Sequence, residues 1–266
     1  MLFGKNTKTE TMKKTTLTLF TLLIFKTASI FAWGQVGHKM VAEIAMSYLN
    51  KGVKDSVQKY LGKMTFAEAG TWMDDVRSDK KFNYMRTWHY ADVARDSTYV
   101  EKGEVNAVNT IERAMNELKD KSKMTPDQIN MDLKLLFHLI GDLHQPLHCG
   151  YPDDKGGNSV DVEFNFQTTN LHSTWDTKII EYKLTDVQKG VLEMCKKLTA
   201  AEKAKYQKID VVEWFKESRA YLPAAYDTNK GDIQEAYMQK ALPIIEKQLV
   251  VAGLRLAAVL NQTFAK

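Results

Sequence analysis

The hydrophobic pattern along the chain is helical almost throughout. Val36, Met40, Val41, Ile44, Ala45, Tyr48 and Leu49 recur at steps of three and four, which puts their side chains on one face of a helix. Ile111, Ala114, Met115 and Leu118 repeat that spacing, as do Leu136, Leu139, Ile140 and Leu143. The latter stripe predicts a helix starting near Thr125, Pro126 and Asp127, because proline suits a first helical turn. Val191, Met194, Cys195 and Leu198 mark another helix, and a last one is expected from Asp232 to Leu260 with a bend at Pro243. One stretch departs from this period. Val160, Val162, Phe164 and Phe166 alternate with Asp161, Glu163 and Asn165, which is strand spacing. Gly156, Gly157 and Asn158 before it are a turn signal. The expected architecture is all-α, a single mainly helical domain over 33–266 with a small β-hairpin. At 266 residues the chain is long enough for one large core.

Residues 12–32 read differently. Met12, Lys13 and Lys14 precede a short apolar run from Leu17 to Phe25, and Ala28 to Ala32 supplies small residues before a cut. That is the layout of a secretion signal, with a run too short to span a bilayer. Cleavage is expected after Ala32, leaving a secreted or periplasmic chain that begins at Trp33. Lys26 is atypical for such a signal, and an amphipathic membrane anchor is the alternative. No later run reaches 18 apolar residues, so no stable membrane association is expected. The formal charge of +4 is confined to this leader, where Lys5, Lys8, Lys13, Lys14 and Lys26 outnumber Glu10. The 32 basic and 32 acidic side chains that remain balance, so no global field draws the chain to nucleic acid. Cys149 and Cys195 are too few for a thiolate zinc site; export permits a disulfide between them and does not require one.

Candidate chemistry lies with the histidines, His38, His89, His138, His144, His148 and His172. His138 and Asp142 are four residues apart, as are His172 and Asp176, so each pair aims a nitrogen and an oxygen ligand at one point of a helix face. Either pair alone reads most simply as a hydrogen-bonded histidine. Two pairs in an exported helical chain with few other histidines point to a site for more than one metal. Trp72, Trp88, Trp175 and Trp214 read as packing aromatics, Asp74 and Asp75 as a solvated turn, and Lys119 to Lys123 as a solvated face. Asn261 to Thr263 matches a glycan acceptor.

Taken in order, these residues form a recognisable series. Trp33 and His38 follow the expected cut; then come Trp72 and Asp74; then Trp88, His89 and Tyr90. His138, Asp142, His144 and His148 follow, then Gly156 to Asn158, and finally Asn170, His172, Trp175 and Asp176. The series resembles the zinc-dependent single-strand nucleases and 3′-nucleotidases, a family related more distantly to zinc phospholipases C. The resemblance implies a helical fold around a cleft with three zinc ions. One zinc would take Asp74, His89, His138 and Asp142. A close second would take the α-amine and carbonyl of Trp33 with His38, bridged by Asp142, and a third would take His148, His172 and Asp176. It further implies a structural place for His144, a stacking role for Tyr90 and a phosphate or ligand contact from Gly157 or Asn158. An assisting carboxylate should follow His89; Asp92 and Asp96 are both candidates, and Arg95 is a candidate phosphate contact. The implied activity is hydrolysis of single-stranded DNA and RNA to 5′-phosphate products together with 3′-nucleotidase action, by a monomer. A phospholipase C-type phosphodiesterase is the alternative.

Overall fold

The computed structural model describes residues 33–265, and the secretion signal read over 1–32 lies outside the described residues. The fold is all-α. Helices α1 (Gly34–Tyr48), α2 (Lys51–Leu61) and α3 (Phe66–Asp75) are followed by a 3₁₀ segment, Lys80–His89, and a long loop. Helices α4 (Ala107–Lys119) and α5 (Pro126–Leu143) come next. After the hairpin the chain forms the short α6 (Leu171–Ser173), a π-helical turn (Thr174–Lys178) and α7 (Ile179–Tyr182). Helices α8 (Leu184–Lys197), α9 (Ala200–Tyr206), α10 (Val211–Arg219), α11 (Leu222–Tyr226) and α12 (Glu235–Phe264) complete it.

Helix α5 starts where the sequence places it. Thr125 caps it by accepting from the backbone of Gln128, whose side chain accepts in return from the Thr125 backbone, and Pro126 sits in the first turn. From Leu133 to Leu143 every residue is buried, as a helix walled in by neighbours requires. Helices α1, α3, α4 and α12 pack around it. The crossing of α1 and α12 is close. A Cβ on Gly253 would sit 2.5 Å from Ile44 Cγ2, so glycine is used here for the approach and not for its backbone freedom. Helix α12 runs through Pro243 to Phe264 and begins at Glu235. Asp232 and Ile233 are instead a two-residue strand, β3, parallel to β1, which corrects the expected start of this helix.

The hairpin pairs β1 (Asp161–Phe164) with β2 (Gln167–Asn170), from Asp161 opposite Asn170 to Phe164 opposite Gln167. Phe166, expected in the strand, lies in the turn. Asn165 and Phe166 have φ of 49° and 62°, the positive pair that a two-residue hairpin turn needs to match strand twist, and Phe166 is 82% exposed. Cys149 is buried and Cys195 partly buried, and both are free thiols. The side-chain amide of Asn261 donates to Tyr48 O and accepts from the Asn50 backbone, so it ties α12 to the α1–α2 connection and does not stand free as a glycan acceptor.

One buried acid lies away from the cleft. Asp132 of α5 is 3% exposed, with Oδ2 unpartnered. Burial and the neighbouring Glu117 carboxylate of α4 push it up to about 7; Glu117 itself pairs with Arg113 at 3.1 Å. The folded state therefore keeps a proton that an unfolded aspartate releases near pH 3.9. Its stabilising contribution is complete below that pH and is lost as pH rises through about 7. Asp132→Asn should shrink the fall in melting temperature between pH 5 and pH 8. An equal fall in both proteins would contradict this account of the α4–α5 contact.

Candidate metal centre

Asp142 is the centre of the site. It ends α5 fully buried, and each of its oxygens faces different imidazoles. Oδ1 is 3.1 Å from His38 Nε2, and Oδ2 is 3.0 Å from His89 Nδ1 and 3.3 Å from His138 Nε2. His38 comes from α1, His89 from the end of the 3₁₀ segment and His138 from one turn earlier on α5. The His38 and His138 rings stack 4.0 Å apart. Asp74, at the end of α3, points Oδ1 at His138 Nε2 from 3.7 Å, so it is an inward residue. Its neighbour Asp75 binds Gln35 and Thr71 at the surface. Of the expected solvated turn, only Asp75 fits.

A second cluster lies beside the first. His172 Nε2 is 3.1 Å from both His148 Nε2 and Asp176 Oδ2. The π-helical turn carries Asp176, and the Gln145 side-chain amide donates to its other oxygen. The glycines explain how His172 is held. Gly156 has φ of 61°, and a Cβ there would sit 2.4 Å from Leu147 O. This close backbone passage lets Gly156 O accept from His172 Nδ1 at 2.6 Å.

The donors have the chemistry of metal ligands. Nδ1 of His138, His148 and His172 each donates to a backbone carbonyl, of Gly70, His89 and Gly156. Their Nε2 lone pairs are thereby fixed and turned inward. Nitrogens of His89 and His138 approach to 3.1 Å, as do those of His148 and His172, so each pair shares one target. Both oxygens of Asp74, Oδ1 of Asp142 and Oδ2 of Asp176 are buried without hydrogen-bond partners. His38 Nε2 lies near Asp142 without hydrogen-bond alignment. Burial lowers His38 and His89 to about 4, which keeps them neutral. Burial also pushes Asp74 up to about 7. Burial opposes a charge on His138, and the Asp142 and Asp74 carboxylates outweigh it, raising it to about 9. The two carboxylates hold a proton on this buried imidazole, and a cation bound by the same donors would displace that proton. Three groups each bring their ligand atoms within 4.8 Å of one another: His38, His138 and Asp142; Asp74, His89 and His138; and His148, His172 and Asp176. His138 thus belongs to two of them. Trp33 is fully buried next to this ensemble. A Cβ on Gly141 would touch both the His38 ring and Trp33 Cδ1, at 2.9 Å and 3.9 Å.

The clusters border a cleft of about 1110 Å³ whose lining includes His89, Tyr90, Asp92, His148, Asn158 and His172. Tyr90 is 38% exposed. Asp92 is raised to about 6, by burial first and with the His172 charge opposing, and its Oδ1 has no partner. Asp96 lies exposed in a turn outside the lining. Arg95 is engaged by Asp153 at 3.2 Å and Asp154 at 3.0 Å, over the Tyr151 ring. Asn158 donates its amide to Lys155 O and keeps a buried, unpartnered Oδ1. Gly157 N donates to Asp154 Oδ1 and so is occupied within the turn. Trp175 and Trp214 are core residues, as read from sequence, whereas Trp88 lines the cleft.

Several supporting residues carry no signal in the sequence pattern. His144 donates Nδ1–H to Ile140 O, and its Nε2 accepts from Arg255 of α12 at 2.7 Å. Gln248 of α12 donates to His144 O. Arg219, at the end of α10, donates to four carbonyls at 2.7–2.8 Å: Cys149 and Gly150 on one loop, Val93 and Ala94 on the other. It ties the segment after Asp92 to the segment after His148.

The fold and site define a helical protein in which three buried histidine–aspartate groups, each able to hold a metal ion, lie beside one cleft. The S1/P1 nuclease family model matches residues 33–265, and the chain belongs to that family, whose members are phosphodiester hydrolases. It is 30% identical to Endonuclease 4 of Arabidopsis thaliana, over 88% of this chain and 89% of that one. It is 27% identical to Nuclease S1 of Aspergillus oryzae, over 87% and 91%, and 26% identical to Nuclease P1 of Penicillium citrinum, over 86% and 97%.

Arg219→Met should cost about 3 kcal/mol in chemical denaturation, because it strips charge-assisted donors from four carbonyls at once. A loss below about 0.5 kcal/mol, the usual range of a surface substitution, would show that the two loops hold without it.

Proposed function

We propose that this protein is a secreted or periplasmic, monomeric zinc-dependent endonuclease. It cleaves single-stranded DNA and RNA to 5′-phosphate products and acts as a 3′-nucleotidase. The observation that carries the reading is that three buried histidine–aspartate groups lie together, two of them reaching one cleft through His89, His148 and His172, beside the half-exposed ring of Tyr90. No helix among the described residues is long and apolar enough to cross a membrane.

In this reading Asp74, His89, His138 and Asp142 hold one zinc. His148, His172 and Asp176 hold another. His38 and Asp142 hold the third together with the α-amine and carbonyl of Trp33, once cleavage after Ala32 frees that amine. Imidazole and carboxylate are the donors zinc favours. Bound zinc supplies Lewis acidity toward phosphate oxygens and lowers the pKa of water.

The chain's own groups do the rest. Asp142 turns Oδ1 toward His38 and Oδ2 toward His89 and His138, so it would serve both of these metal groups. Asp92 is the assisting carboxylate: raised to about 6, it is poised to take up a proton from the attacking water and release it again. Asp96 faces solvent outside the cleft, and Arg95 is held by Asp153 and Asp154, so neither serves. Tyr90 stacks a base. Asn158, with its amide spent on Lys155, offers its oxygen to a base N–H or a sugar hydroxyl and not to a phosphate. A stacked duplex withholds its base faces from Tyr90, which is why single strands are preferred.

Purified protein beginning at Trp33 should carry three zinc ions and cleave single-stranded DNA far faster than duplex, with loss of cleavage on chelation and recovery with zinc. Asp92→Asn should lower kcat by about 10²–10⁴-fold with zinc content unchanged. Hydrolysis of a choline phospholipid without cleavage of single-stranded DNA would contradict the reading, as would tight zinc without turnover.

A further inference from the structure

The cleft extends well past the metal groups. Its lining also includes Tyr84, Arg86 and Trp88 of the same 3₁₀ segment, Lys80–His89, that ends at the metal-facing His89. At about 2.0 Å rise per residue, Tyr84 lies about 10 Å back along that segment from His89. Tyr84 is 57% exposed. It is nevertheless held in place, with its ring 5.3 Å from that of Trp88 at 73°. Trp88 is in turn backed by the Arg113 guanidinium at 5.4 Å. Arg86 is exposed and has no ion pair or hydrogen bond among the described residues. The segment carries no acidic side chain, and Lys102 and Glu104 of the loop that follows it also line the cleft.

We propose that Tyr84 and Arg86 form a second nucleotide subsite, so that the enzyme holds a single strand across the cleft and not only the nucleotide at the metals. This rests on the nuclease reading above and says how that site selects its substrates. A fixed aromatic ring with an open surface accepts any base, because every base has a π-face, and an unpaired cation two residues on meets the adjoining phosphate. The chain balances its charges outside the leader, so Arg86, exposed on a segment with no acidic side chain, supplies a positive charge locally. An apolar ligand such as a lipid tail would leave Arg86 without a partner. A single strand uses the ring and the charge together.

The test compares kcat/KM for a dinucleotide and for a six-nucleotide single strand, using zinc-loaded wild type, Tyr84→Ala, Tyr84→Phe and Arg86→Ala. Wild type should favour the longer strand by about tenfold or more. Tyr84→Ala should raise KM for the six-mer by about tenfold, within the range for loss of one base stack, with little change in kcat. Tyr84→Phe should restore it. Arg86→Ala should reduce the slope of log KM against log salt by about 0.7, the share of one phosphate contact on a single strand. Equal kcat/KM for both lengths in wild type would overturn the subsite, and so would an undiminished length preference in Tyr84→Ala. Wild type inactive on both strands would be a different failure: it would overturn the nuclease reading and the subsite with it.

Discussion

A carboxylate with no solvent exposure sits at the end of the central helix, and the site is arranged to make that tolerable. Burying a charge costs several kcal/mol unless it is paired. Asp142 is hydrogen-bonded by His89 of the 3₁₀ segment and lies against His138 of α5 itself and His38 of α1. Each of those imidazoles is buried too. The helices must therefore meet at this point, and their packing follows from it: α5 is enclosed on all sides, while α1 crosses α12 closely enough to require Gly253. The same grouping gathers lone pairs onto common targets, which is an arrangement that a metal ion resolves and hydrogen bonds among the residues do not.

Around this centre the second cluster is positioned by less regular backbone. His148 follows the end of α5 in a 3₁₀ turn, and Asp176 sits in a π-helical turn. Arg219 gathers four carbonyls from the loops that carry Asp92 and His148, and Arg255 and Gln248 of α12 fix His144 from behind. The C-terminal helices thus supply no metal-facing group, yet they hold in place the chain segments that do. Three cationic centres would also give a cleft in a charge-balanced chain the local attraction for phosphate that its overall charge does not provide.

Much of this was legible in the sequence. Helical stripes are local, so α1, α4, α5 and α8 could be read from spacing. The four-residue pairs His138–Asp142 and His172–Asp176 were legible for the same reason. The resemblance supplied Asp74, His38 and His148, which spacing alone did not single out. The rest depends on contacts distant in sequence. Strand alternation runs through Phe166, but the chain must turn there, and the pattern does not mark where pairing stops. Asp232 and Ile233 become a strand only because β1 lies beside them. Asp92 and Asp96 are alike as letters and differ in burial. Trp88 reads as a packing residue, and it does pack, while also lining the cleft. Arg219 binds backbone carbonyls, which every residue has, so nothing in the sequence names its partners.

We propose that the buried groups are preformed to hold three metal ions, two of them flanking Asp142. Anomalous diffraction at the zinc absorption edge, on crystals of the chain beginning at Trp33, tests it most directly. Three peaks are expected: one at His148, His172 and Asp176, and two flanking Asp142, with histidine nitrogens about 2.0–2.1 Å from each ion. A single peak, or zinc bound away from Asp142, would contradict it.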